Sequence, residues 1–340
     1  MGLLASGPRD SIADVAGVTV GHATLADGGV QTGVTVIRPH AGDPYRDKVP
    51  AGLAVINGFG KSVGLVQIEE LGQLETPIAL TNTFSVGAVA QAQIRDCAAA
   101  NPETGRSLPT VNPLVLECND GFLNDIQRMA VGEADYRAAL AAASPSFAQG
   151  AVGAGRGMSS FQLKGGIGSA SRRAPVHGGT TYTVGALVLA NYGLLPNLVW
   201  AGQAIGAGIA TRIDDRVRQQ AAEAEKGSII MVLATNAPLD ARQLRRLALR
   251  AAAGLARTGS VYGHGSGDIA LAFSSAYTLP HLPGRPMPAV ANVHEALLDG
   301  LFQAATDSTE QAIVHALWHA EPVTGRDGHQ RAALRQFLAP

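Results

Sequence analysis

Short apolar runs closed by glycine alternate along this chain with stretches that carry a helical apolar period. Within Ile12–Val36, GVTVGHATL and TGVTVI are β-rich and separated by Gly28-Gly29, which predicts two strands joined by a tight turn. Leu53–Ile56 is another apolar run and ends in NGFGKS, Asn57–Ser62. That ending looks like a phosphate loop, but the motif needs glycine where Val55 stands. Val63–Gly72 and Ser85–Ala99 have helical spacing, with TPIALTNT, Thr76–Thr83, as a strand between them. The polar end of that strand, Thr81, Asn82 and Thr83, either lines a pocket or closes a turn. LVLEC opens the stretch Leu114–Ile126 as a strand, and Arg128–Ala143 reads as an amphipathic helix. Gly150–Arg172 is dense in glycine, with Met158, Phe161, Leu163 and Ile167 interleaved, and predicts a backbone-specialised loop. It fails the dinucleotide fingerprint, because Met158 occupies the third glycine position. TTYTVGALVLANYG, Thr180–Gly193, is a long strand finishing at Asn191. IIMVLA, directly after Ser228, reads as a strand buried on both faces. Leu239–Thr258 is helical, Tyr262–Phe273 brings a glycine turn into a further buried strand, and Val293–Gln303 and Ser308–Trp318 are two helices.

Composition narrows this picture. The 340 residues are 46% hydrophobic and only 16% charged, which predicts a soluble, heavily buried or oligomeric protein. A net charge of −1 leaves no electrostatic footprint for nucleic acid or an anionic membrane. The two cysteines, Cys97 and Cys118, form neither a disulfide framework nor metal-ligand spacing, which suits a reducing compartment. No secretion signal pattern opens the chain and no apolar window approaches the length of a membrane span, so the expected setting is cytoplasmic. No internal repeat or linker divides the chain, and a single domain over 1–340 is expected.

Candidate chemistry gathers at strand ends. Gly227-Ser228 lies between the charged run Asp214–Lys226 and a buried strand. One reading is a Gly-Ser turn. The other is self-cleavage: the Ser228 hydroxyl attacks the Gly227 carbonyl, an N-to-O acyl shift makes an ester, and its hydrolysis frees Ser228, whose α-amine then serves as the base for its own hydroxyl. Glu117, at the end of an apolar strand, either caps nearby backbone N–H groups or anchors a substrate ammonium. Lys164, the only lysine between Lys61 and Lys226, is a surface group or a cation at an active-site rim. Asn191 is a turn residue or an oxyanion donor. Ser266 and Asp268, two apart at a strand entry, share a face and could relay a proton from an amine. His315 and His319 share a helix face, but no Glu follows His315 as a zincin requires, so a packed or exposed pair is expected rather than a metal site.

The motifs DVAGVTVGHATL, NGFGKSVGL, LGQLETPIALTNT, ECNDGFLND, GAGRGMSSFQLKGGIGSASR, VLANYG, KGSIIMVLATNAPL and GSGDIALAFS, taken in order, resemble the DmpA/BapA-type self-processing aminopeptidases, the L-aminopeptidase/D-esterase and β-aminopeptidase family. The resemblance implies an α+β fold, a four-layer αββα sandwich of the N-terminal nucleophile hydrolase kind. It implies a catalytic domain cut into an α chain, 1–227, and a β chain, 228–340, assembled as a homo-oligomer, a tetramer or larger. Ser228 becomes the nucleophile, Asn191 an oxyanion donor, Ser266 and Asp268 proton-relay and amine-orienting groups, Lys164 an active-site cation and Glu117 the anchor of the substrate ammonium. No metal or organic cofactor is implied. The substrates are small peptides, amides or esters with a free amino terminus. Two alternatives stay open: an acyltransferase of the ornithine acetyltransferase type, and a non-catalytic binding protein on the same fold.

Overall fold

The computed structural model describes residues 1–176, 179–212 and 227–338, so the charged run Asp214–Lys226 lies outside the described residues. The principal strands are β1 (Thr19–Asp27), β2 (Val30–Arg38), β3 (Asp47–Gly58), β4 (Ile78–Asn82), β5 (Leu114–Cys118), β6 (Gly166–Pro175), β7 (Thr181–Asn191), β8 (Ser228–Thr235) and β9 (Gly267–Ser274). The principal helices are α1 (Leu65–Leu71), α2 (Val86–Ala100), α3 (Glu133–Ala141), α4 (Ala241–Ala256) and α5 (Asp299–Trp318). One sheet has the order β1-β2-β4-β5, antiparallel except for the parallel pair β4/β5. The larger sheet runs β3-β9-β8-β7-β6, with β8 and β9 parallel at its centre and antiparallel neighbours on either side.

Side-chain alternation turns these strands into layers. In β8, Ile229, Met231 and Leu233 join the core formed with α4 and α5, while Ile230, Val232 and Ala234 join the core between the two sheets. A third core seals the outer face of the smaller sheet, where Val34, Val36, Ala79 and Val115 meet Val86 and Val89 of α2 and Tyr136 and Ala139 of α3. The order helix, sheet, sheet, helix is the αββα sandwich. Burying each large aliphatic side chain of β8, all fully inaccessible, contributes roughly 1.5–3 kcal/mol.

Some expected boundaries move for identifiable reasons. The helix expected over Arg128–Ala143 forms only at Glu133–Ala141, because Met129 takes a left-handed φ of 46° and Gly132 is extended at the N-cap. The glycine-dense stretch is a strand from Gly166 onward. A Cβ at Gly168 would stand 1.9 Å from the Ala312 carbonyl oxygen, so α5 can lie this close to β6 only over glycine. The two helices expected near the carboxyl end are the single helix α5. Its polar middle looks like a break in sequence but is buried and partnered. Arg257 Nη1 donates to Asp307 Oδ1 at 2.7 Å and to Glu310 Oε2 at 3.1 Å, and Ser308 Oγ donates to the Val184 carbonyl at 3.0 Å. No helix among the described residues is long and apolar enough to cross a membrane.

His22 ties β1 to its surroundings as a neutral imidazole. Its Nε2 donates to the Ala148 carbonyl at 3.0 Å. Its Nδ1 then accepts from the Thr35 hydroxyl at 2.9 Å, whose oxygen in turn takes the Ala154 N–H at 3.1 Å. Burial lowers the His22 pKa from 6.5 to about 4, partly offset by the bond to Ala148. The unfolded chain therefore binds this proton first, and stability drains away as pH falls from 6.5 through 4. At pH 5.5 the loss relative to pH 8 should be about 1 kcal/mol. Urea unfolding at both pH values checks this: His22→Gln should show the smaller difference, and an identical pH dependence in the variant would refute the assignment.

Candidate active site

Ser228 opens β8, which like β9 is buried along its whole length, and is itself 5% exposed. The residue before it has to be glycine. A Cβ at Gly227 would lie 2.1 Å from the Asn191 carbonyl oxygen and 2.6 Å from Tyr192 Cα. Register places Ser228 opposite Asn191 on antiparallel β7, and Ile229 beside Asp268 on parallel β9. The Gly267 N–H donates to Ser228 Oγ at 3.0 Å, which holds the hydroxyl oxygen in place and leaves its proton free to be given away.

Asn191 is held at both ends. Its Oδ1 accepts the Ser159 N–H at 2.7 Å, and its Nδ2 donates to the Asn119 carbonyl at 3.0 Å. The backbone donor at Ser159 settles which end of the amide is nitrogen, and one Nδ2 hydrogen remains beyond the bond to Asn119. Ser159 sits in a hairpin whose two turn residues, Phe161 and Gln162, have φ of 53° and 60°. Two successive left-handed non-glycine residues are costly. They are held by the buried Phe161 ring, edge-on to Tyr192 at 5.0 Å, and by the Phe161 N–H donating to the Tyr192 carbonyl at 2.7 Å.

Ser266 Oγ donates to Asp268 Oδ1 at 2.5 Å, and both residues are buried. Asp268 falls in phase with Ala270 and Ala272, which face the helices, whereas Ser228 falls in phase with Ile230 and Val232, which face the second sheet. The Asn57 side-chain amide is fastened to the carbonyls of Gly263, His264 and Ser266, tying the NGFGKS segment to the entry of β9.

Glu117 reaches this segment from the other sheet. It is 3% exposed; Oε1 accepts the Lys61 N–H at 2.8 Å and Oε2 accepts the Thr83 hydroxyl. Both partners are neutral, so the buried carboxylate is hydrogen-bonded while its charge is not matched by either. Thr83 is thus a site-lining residue, whereas Asn82 closes a turn by accepting the N–H groups of Phe84 and Ser85, both at 3.1 Å.

Lys164 is not on a rim. It is fully buried, and its ammonium donates to the carbonyls of Gly155 at 2.9 Å, Met158 at 2.7 Å and Gly165 at 2.7 Å. Burial, and secondarily Arg156, pulls it well below the ordinary lysine range. It fastens the loop from which Ser159 grips Asn191. Nearby, burial pushes the Asp120 carboxyl up to about 7, against hydrogen bonds from Thr32 and Asn124. His315 Nδ1 donates to the Ser169 carbonyl at 2.7 Å, and its ring meets the His319 ring at 5.6 Å.

Ser228, Asn191, Ser266, Asp268 and Glu117 therefore converge where the carboxyl end of β5 meets the ends of β3 and β7 and the entries of β8 and β9. Sequence reading missed the Gly267, Lys61 and Ser159 N–H groups. For Lys61 a signal exists in the glycine-flanked NGFGKS, which lacks the phosphate-loop spacing yet turns a backbone N–H toward the Glu117 carboxylate.

Known proteins align with this arrangement. The profile of peptidase family S58 matches residues 10–331. The chain is similar to the beta-peptidyl aminopeptidase BapA of Sphingosinicella microcystinivorans, at 40% identity, over 98% of this chain and 88% of that protein. Its structure is similar to the PH0078 protein of Pyrococcus horikoshii OT3, with TM-score 0.93 and 44% identity over 99% of this chain and 94% of that one. It is similar also to the L-aminopeptidase D-Ala-esterase/amidase of Ochrobactrum anthropi, described as a prototype serine aminopeptidase and a variant of the Ntn hydrolase fold. That match has TM-score 0.89 and 36% identity over 98% of this chain and 96% of that one. With family, fold and coverage in agreement, the chain belongs to peptidase family S58 and is a hydrolase of the serine aminopeptidase kind, built on a variant of the N-terminal nucleophile fold.

Proposed function

We propose that the chain cuts itself before Ser228 and that the exposed serine then removes amino-terminal residues from small peptides, amides or esters. The observation that carries this reading is the seating of Ser228: a hydroxyl held by the Gly267 N–H, at the first position of a buried strand, behind a glycine wedged against the Asn191 carbonyl. In the free enzyme the α-amine of Ser228 takes the hydroxyl proton. Oγ attacks the scissile carbonyl, and the remaining Asn191 Nδ2 hydrogen stabilises the oxyanion. The protonated amine passes its proton to the leaving group, and water hydrolyses the ester. Asp268, on the opposite side of the sheet from Oγ, serves the amine rather than the hydroxyl in this reading, with Ser266 bound to it. Lys164 acts through the loop it fastens, as a positioning residue. Glu117 takes the substrate ammonium, the cation that its neutral partners do not supply. The same proposal includes a cytoplasmic homo-oligomer, a tetramer or larger. The exposed Val55, Val66 and Leu249, which line a common surface groove, offer apolar area for assembly.

Self-cleavage should give fragments 1–227 and 228–340. Intact mass and amino-terminal sequencing check this, with SIIMV expected at the start of the smaller fragment and a single uncut chain for Ser228→Ala. A different start, or normal cutting of that variant, would defeat the proposal. For Glu117, an amino-acid p-nitroanilide should be cleaved at least tenfold faster, in kcat/KM, than its N-acetyl form. Equal values for the two compounds would remove Glu117 from this role. Activity should also fall as pH drops through the pKa of the Ser228 amine, since only the neutral amine accepts a proton. A carboxylate near that amine favours ammonium and raises its pKa, so Asp268→Asn should carry the acidic limb of kcat/KM to lower pH. A pH–rate profile on pre-cut enzyme decides it; an unmoved limb at full activity would mean that Asp268 only caps its turn.

A further inference from the structure

Arg331 lies in a carboxyl-terminal hairpin, Val323–Thr324 paired with Gln330–Arg331, that docks on the loop following β5. The Arg326 N–H and Nε donate to the carbonyls of Leu123 at 2.8 Å and Gly121 at 2.7 Å, and His329 Nδ1 lies 2.8 Å from the Phe122 carbonyl. This docking lays the Arg331 guanidinium on the Phe122 ring, 3.4 Å from its centroid, while His329 stacks on the same ring at 4.7 Å. Arg331 is only 7% exposed. Its Nε donates to Ser159 Oγ at 3.2 Å, but its Nη1 is buried with no hydrogen-bond partner among the described residues. Burial pushes its pKa down to about 10, so the ion persists at neutral pH, and no carboxylate among the described residues counters that effect. It also lines a cavity of about 290 Å³, whose wall includes Gln162, Arg212, Thr324 and Gln330.

A buried guanidinium with an unpartnered Nη1 and no acid partner among the described residues is costly, and a carboxylate is the group that fits its planar fork. Its position gives that carboxylate an origin. Ser159, which Arg331 touches, is the residue whose N–H orients Asn191, so the guanidinium stands one residue from the proposed oxyanion donor. Along one segment, Glu117, Asn119 and Phe122 serve in turn the substrate ammonium, the Asn191 amide and the Arg331 guanidinium.

The geometry points to Arg331 as a specificity-determining residue that takes a free carboxylate on the leaving portion of the substrate, which makes short peptides with an unblocked carboxyl terminus the favoured class. This rests on the aminopeptidase reading above and adds to it the far end of the substrate.

The test compares Ala-Gly with its carboxyl-terminal amide on the self-processed enzyme, using alanine p-nitroanilide as a substrate without a leaving-group carboxylate. Wild type should favour the acid over the amide by about tenfold or more in kcat/KM. Arg331→Met should bring that ratio close to one, whatever loss it shows on all three substrates, and Arg331→Lys should keep part of the preference. A merely structural Arg331 would lower all three rates together and leave the ratio alone. A wild-type ratio near one, or a preference that survives Arg331→Met, overturns the inference. If no substrate is turned over, the aminopeptidase reading has failed, and calorimetric titration of wild type with the two dipeptides and with acetate decides instead. Tighter binding of the acid, lost in Arg331→Met, supports a carboxylate subsite. Equal binding of acid and amide, or acetate binding as tightly as the acid, overturns the assignment to substrate.

Discussion

The register of β8 between β7 and β9 is the constraint on which the site depends. A one-residue slip against β7 would part Ser228 from Asn191 and turn its hydroxyl to the other face of the sheet. Yet β8 is apolar on both faces, so its own pattern specifies register weakly. Its ends supply what the middle lacks. At the start, Gly227 is wedged against the Asn191 carbonyl and the Gly267 N–H reaches Ser228 Oγ. At the far end, Thr235 Oγ1 donates to the Thr183 carbonyl at 2.8 Å, and Ser274 Oγ at the end of β9 donates to the Ala237 carbonyl at 2.6 Å. Polar anchors at both termini hold an otherwise slippery strand.

Around this strand, buried polar side chains are held largely by backbone groups. Asn191 is gripped by the Ser159 N–H and the Asn119 carbonyl, Glu117 by the Lys61 N–H, and Lys164 by three carbonyls. Backbone dipoles are fixed by the fold and lose little freedom when they bind, so they preorganise a site better than long side chains would. The strained Phe161–Gln162 turn fits the same logic. Its cost is carried by the packing of Phe161, and its yield is a donor aimed at Asn191.

The two sheets divide the candidate site residues between them. Glu117 comes from the smaller sheet, while Ser228, Asn191 and the Ser266–Asp268 pair come from the larger. The apolar core between the sheets therefore sets the distance from Glu117, the proposed ammonium anchor, to Ser228, the proposed nucleophile. That core is dense and incompressible, so the spacing is a property of the whole sandwich and not of any one loop.

Much was legible in the sequence. Apolar runs marked β4, β5, β7, β8 and β9, because strands buried on both faces need continuous hydrophobicity, and Gly28-Gly29 marked the turn between β1 and β2. The residue types at strand ends named Ser228, Asn191, Ser266, Asp268 and Glu117, because a carboxylate, amide or hydroxyl closing an apolar run has to find a partner. Other features were decided by the tertiary structure alone. The Ser159 and Gly267 N–H groups have no sequence signature, since every non-proline residue carries one and only packing aims it, and NGFGKS marks the turn at Lys61 but not the partner its N–H meets. Lys164 passed from rim to interior because three carbonyls from a folded loop satisfy it. The polar middle of α5 read as a break until Arg257 arrived from α4 to pair with it. The carboxyl-terminal hairpin, unmarked by periodicity, carries Arg331 to a ring 209 positions earlier in the chain. Sequence determines which strands are buried and which polar groups need partners; the meeting of distant segments decides which partners they receive.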